Sequence, residues 1–134
     1  GIVIAALLEM VSGLTLLEDI LNSVGDSGFA RVGLVTFLFG AVVIVVAETS
    51  FLGTHNWVYP QVVFYVVLAF LAQAAFGIAL IQTNMVAEWV GWVTIVWNLA
   101  WLVILPIFSP REIYFPVLHH VAPLIIGIAL LARG

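Results

Sequence analysis

Long apolar blocks separated by short polar breaks divide this chain. The blocks run approximately over 2–21, 29–48, 60–82, 87–108 and 113–132. Each has about twenty residues, the length at which a helix crosses the ~30 Å hydrocarbon core of a bilayer. The breaks are NSVGDSG at 22–28, TSFLGTHNWVY at 49–59, a tight turn at 83–85 and SPRE at 109–112. They carry the Gly, Asn, Asp, Ser and Pro that punctuate helices. The pattern predicts an all-α, polytopic integral membrane bundle. It would have five transmembrane helices in a single domain over 1–134, with loops too short to hold an extramembrane domain.

Polar positions inside the blocks refine this picture. At about 100° per residue, Glu9, Ser12, Thr15, Glu18, Asp19 and Asn22 share one half of the first helix, and Met10, Leu14, Leu17 and Leu21 the other. A carboxylate at the bilayer centre costs about 2.5–3.5 kcal/mol on insertion scales, so Glu9 is expected to face protein or water. Either Glu9 is protonated or hydrogen-bonded between helices, or the acidic stripe lines a wet proton or cation path. In the second block Gly33, Gly40 and Ala47 recur at heptad spacing beside Thr36. Small residues in a row let another backbone approach, so Gly33 and Gly40 are expected at the closest helix contact. Pro60 opens the third block, where proline sacrifices no hydrogen bond. Gln73 lies near mid-span on a slim helix with Ala72, Ala75, Gly77 and Ala79, and its amide is expected to hydrogen-bond between helices.

Aromatic positions fall into two groups. Trp57, Tyr59, Trp89 and Trp92 stand near block ends, as interfacial belt residues do. Trp97 and Trp101 lie deeper in the fourth block, one turn apart, with Asn98 beside them. They either pack on a neighbour or sandwich a flat ligand such as a porphyrin, carotenoid or quinone. Pro106 is expected to kink the end of this block.

The fifth block holds His119 and His120 between Pro116 and Pro123, the only histidines within an apolar segment. His55 is expected to be a solvated loop residue. Read as one helix, the fifth block loses a backbone bond at Pro123, which leaves the His119 carbonyl to protein or water. Adjacent helical side chains diverge by about 100°, so the two rings cannot address one point. Counting back from the SPRE turn places them opposite Trp101. One ring is therefore expected against the fourth span, and the other toward a partner, a pigment or headgroups. Either is positioned to be an axial ligand of haem or chlorophyll.

Composition narrows the classes. Of 134 residues, 65% are hydrophobic and 7% charged, too little charge for the surface of a soluble domain. There is no Lys and only Arg31, Arg111 and Arg133, which argues against nucleic acid and against a polybasic grip on lipid. The absence of Cys excludes disulfides and thiolate chemistry within this sequence. There is no GxxxxGK[ST], HExxH or GxSxG, so no catalytic set and no protein metal site is identified. The chain opens inside an apolar run without a basic leader region; a longer natural N-terminus is expected rather than a signal peptide.

The stretch Glu88-Trp89-Val90-Gly91-Trp92, then a long apolar span, then Pro123-Leu124-Ile125-Ile126-Gly127-Ile128 before Arg133, covers about a third of the chain. It resembles bacterial multi-helix integral membrane proteins of unknown function. That resemblance implies no activity.

Three functions fit these readings, each placed in the bacterial inner membrane. The preferred one is a non-catalytic accessory or structural subunit, associated with other membrane subunits or with copies of itself. The second is a haem-, chlorophyll- or quinone-binding subunit using His119 or His120 with Trp97 and Trp101. The third is a small transporter or channel using Glu9, Asp19, Gln73 and Asn98. With five spans, Arg31 and Arg133 share one side and Arg111 lies on the other, which favours a cytoplasmic C-terminus.

Overall fold

The structure is a computed structural model that describes residues 2–56, 58–108 and 120–133. Among them are five helices and no strand: α1 (Ile2–Ser23), α2 (Phe29–Thr54), α3 (Tyr59–Thr83), α4 (Glu88–Phe108) and α5 (Val121–Arg133). The fifth predicted span begins among residues outside the described set, so the SPRE turn, Arg111, Pro116 and His119 cannot be placed. Trp57 lies outside it as well.

The apolar spacing of α1 decides which face turns inward. Leu7, Met10, Leu14, Leu17 and Leu21 are buried, three or four residues apart. Ser12, Thr15, Asp19 and Asn22 on the opposite half are exposed. Thr15 satisfies its own hydroxyl by donating to the Val11 carbonyl at 2.7 Å.

The turn into α2 is closed by Asp26. Its carboxylate accepts from the backbone N–H of Gly28 at 3.2 Å and of Ala30 at 3.0 Å. These donors stand at the helix start, where backbone N–H groups lack an intrahelical partner. Gly25 and Gly28 adopt φ of 99° and 106°, which fits the glycines of this turn. Asp26→Ala is expected to cost about 0.5–2 kcal/mol and Asp26→Asn much less, read from thermal unfolding in detergent. Equal melting temperatures for Asp26→Ala and wild type would remove this capping role.

Helix α2 runs to Thr54, six residues beyond the predicted end of the second span at 48. Thr49 and Thr54 donate their hydroxyls to the Val45 and Ser50 carbonyls, at 2.7 and 2.9 Å. These polar side chains are thus satisfied on the helix they were expected to end. The stop comes at His55, in the left-handed region with φ 59°, whose N–H donates to the Phe51 carbonyl at 2.7 Å. Pro60 lies in the first turn of α3, and Asn84, at φ 51°, ends that helix.

Packing runs mainly between consecutive helices, with α3 also touching α1. The α2–α3 seam is formed at Gly33 and Gly40. A Cβ at Gly33 would stand 2.8 Å from the Ala72 carbonyl oxygen and 2.9 Å from the Phe76 ring. One at Gly40 would meet Leu68 Cβ at 3.2 Å and the Tyr65 ring at 3.3 Å. Beside the seam Phe37 meets Tyr65 edge-on, centroids 6.0 Å apart. The α3–α4 seam is a second glycine crossing, with Gly77 and Gly91 facing each other's carbonyl oxygens. Phe37, Phe70 and Phe76 are fully buried.

Polar groups gather at the end of the bundle where α1 stops and α2 starts. Arg31 reaches Glu18 at 3.4 Å, Asn22 donates to the same carboxylate, and Ser27 donates to Gln82 at the end of α3 at 2.8 Å. Trp89 and Trp92 are exposed at the start of α4, where the Trp92 indole N–H donates to Glu88 at 3.3 Å.

Two helices are long and apolar enough to cross a membrane: α2 over its whole length, and α3 over Pro60–Thr83. Glu88–Ile104 and Val121–Ala132 are shorter apolar helical stretches.

Candidate functional site

The residues singled out in the sequence fall in four places. Glu9 and His120 come together, although three helices separate them along the chain. They line a cleft of about 620 Å³ between α1 and α5. Glu9 is exposed and His120 half-buried where they line this cleft. The remaining walls are Ala6, Met10, Gly13, Leu14 and Leu17 from α1, and Pro123, Ile126, Gly127 and Leu130 from α5. No described α4 residue lines the cleft. Of the two histidines of the fifth block, His120 lines this cleft with the first helix, and His119 lies outside the described residues, as does the SPRE turn from which both were counted to Trp101. Pro123 stands in the first turn of α5, where the N–H it lacks would have no intrahelical partner.

Trp97 and Trp101 form the second place. Their rings touch edge to face, with centroids 5.7 Å apart and planes at 63°. This is an indole–indole packing pair, with no parallel slot to receive a porphyrin or other planar molecule between the rings. Neither is among the described residues that line the cleft with His120.

Gln73 and Asn98 form the third place, inside the bundle, at 2% and 0% exposure. Asn98 continues a buried row on α4 with Val90 and Thr94. Thr94 donates to the Val90 carbonyl at 2.8 Å, and the Asn98 amide to the Thr94 carbonyl at 2.6 Å. The Asn98 Oδ1 atom has no hydrogen-bond partner among the described residues. The fourth place is the outer surface of α1, where Asp19 is exposed. Of Glu9, Asp19, Gln73 and Asn98, the described lining of the α1–α5 cleft includes Glu9 alone.

Glu48 is a further buried acid that the sequence reading passed over as the end of a span. It is 3% exposed and accepts the Ile4 backbone N–H at 2.5 Å, tying the start of α1 to α2. Its signal in the sequence is a carboxylate directly after Ala47, the last small residue of the seam.

The cleft's chemistry restricts what it can hold. Among the described residues Glu9 and His120 are its ionisable groups, and no described Arg or Lys lines it. His120 offers an imidazole nitrogen to a haem iron, but none of the described wall residues pairs with the propionates, and Glu9 repels them. The described residues therefore do not by themselves fit haem. Among the described residues, no three His, Asp or Glu side chains gather to hold a metal ion. No protein-family model, curated protein or solved structure matches this chain.

Proposed function

We propose that this chain is a polytopic integral membrane protein whose five helices cross the bilayer, and that it serves as a non-catalytic subunit of a larger membrane assembly. The observation that carries the reading is the outer face of α2. Val32, Val35, Phe39, Val42 and Val46 are all exposed there, Phe39 at 67%. An apolar face of this length aggregates in water and is solvated in lipid. Leu8 and Leu16 on α1 and Val96 and Val103 on α4 extend the exposed apolar surface to other helices. Inward, within an apolar core, stand two glycine seams and the buried amides of Gln73 and Asn98. Glycine seams suit helices packed by close approach in lipid. The subunit role is supported by short connections and by the open side between α1 and α5. The proposed location is the bacterial inner membrane, with Arg31 and the end of α5 on the cytoplasmic side.

The test is extraction followed by mass. The expressed chain is expected to stay in membranes through alkaline carbonate washing. Native mass spectrometry from mild detergent is expected to give a defined assembly with copies of itself or with other chains. A detergent-free, monodisperse monomer would end the membrane reading. A chain that needs detergent but remains a single copy without companions would end the subunit reading alone.

A further inference from the structure

We propose that the α1–α5 cleft binds a membrane-dissolved quinone or quinol, its ring between Glu9 and His120 and its isoprenoid tail along the apolar walls. The inference rests on the reading that the chain spans a membrane. Three observations lead to it. The first is shape: a volume of about 620 Å³ lies within the range of small-molecule sites. A Cβ added at Gly13 or at Gly127, both in the walls, would meet nothing within 4 Å. The cleft is therefore open at mid-length.

The second observation is polarity. Two ionisable groups line the cleft among the described residues, Glu9 on α1 and His120 directly before α5. Besides them the walls include Met10, Leu14, Leu17, Ile126 and Leu130. A matching ligand has a polar head and a long apolar body.

The third is the kind of head. An imidazole N–H donates and a carboxylate accepts. A quinone carbonyl accepts from the first, and a quinol hydroxyl donates to the second. Among the described lining residues phosphate or carboxylate heads meet Glu9 and no Arg or Lys, so anionic lipid heads are disfavoured.

The experiment uses the full chain in phosphatidylcholine nanodiscs, with decylubiquinone and decylubiquinol as probes and decylbenzene as the tail without ring oxygens. Binding is read by equilibrium filtration and thermal stability by circular dichroism. Saturable binding of one equivalent of decylubiquinone or decylubiquinol is expected, with decylbenzene at least about tenfold weaker. Gly13→Leu and Gly127→Leu fill open space, so each should weaken binding about tenfold at unchanged melting temperature. Glu9→Gln should weaken the quinol more than the quinone, and His120→Phe should weaken the quinone. Failure of the chain to enter the disc overturns the membrane reading and this proposal with it. An inserted, folded chain overturns the proposal alone in any of three ways: it lacks saturable binding, it binds decylbenzene equally well, or it binds unchanged in both glycine variants.

Discussion

Gly33→Ala is expected to destabilise the protein by about 1–3 kcal/mol, although alanine is the better helix former. The added methyl would lie 2.8 Å from the Ala72 carbonyl oxygen and 2.9 Å from the Phe76 ring. The first of these is backbone and cannot rotate away. Phe76 is fully buried, so its ring has little room to yield. Relief requires α2 and α3 to separate along a seam whose attraction depends on close contact. Gly53→Ala on the same helix is the control, because a Cβ there meets nothing within 4 Å. It should be neutral or stabilising by up to about 1 kcal/mol. Unfolding by sodium dodecyl sulfate from dodecyl maltoside micelles, followed by circular dichroism, separates the two. Equal shifts for both variants would show that Gly33 does not set the helix spacing.

The α3–α4 crossing should be as sensitive, and its two sides should be coupled. A Cβ at Gly91 would fall 2.5 Å from Ile81 Cγ1 and 3.0 Å from the Gly77 carbonyl oxygen. A Cβ at Gly77 would fall 2.7 Å from Ile95 Cγ1 and 3.0 Å from the Gly91 carbonyl oxygen. Gly91→Leu is expected to cost about 3 kcal/mol, the upper end of overpacking effects. The nearest obstacle to a methyl at Gly91 is a side chain, so Gly91→Ala should be partly relieved by Ile81→Ala. The cycle over these two positions should show a coupling of about 0.5–3 kcal/mol in the compensating direction. Strict additivity in the same denaturation assay would mean that Ile81 is not what the methyl meets.

The helices were legible in the sequence because their apolar blocks are long and their breaks are rich in turn residues. The buried face of α1 followed from its three- and four-residue spacing, and Gly33 and Gly40 announced the α2–α3 seam by recurring on one face. The Gly77–Gly91 crossing was harder to read. Each helix contributes one glycine, and only the pairing of two helices gives either its meaning. The end of α2 was misplaced because Thr49, Ser50 and Thr54 look like loop residues by type. Two of these hydroxyls bond back to carbonyls one turn earlier and leave the helix intact. The cleft was the least legible feature. Glu9 and His120 were each noticed for standing in apolar segments, but nothing local to either points to the other. The tryptophan pair shows the converse. Its spacing was plain, while the tilt that makes it an edge-to-face contact depends on side-chain torsions that spacing does not encode.

The largely consecutive packing of the helices has a bearing on how the molecule is made. A bundle held mainly by contacts between neighbours along the chain has short-range topology, and such topologies close little loop entropy at each step. During synthesis, α2, α3 and α4 each meet the preceding helix already in place. Glu9 is the exception. It enters with the first helix, and His120 follows only after three more helices have been threaded. The wall that α5 supplies is therefore expected to be the last part of the bundle to assemble. Pulse-labelled, site-directed crosslinking between positions 13 and 127 should appear later than crosslinking between 33 and 72, and simultaneous appearance would contradict this order.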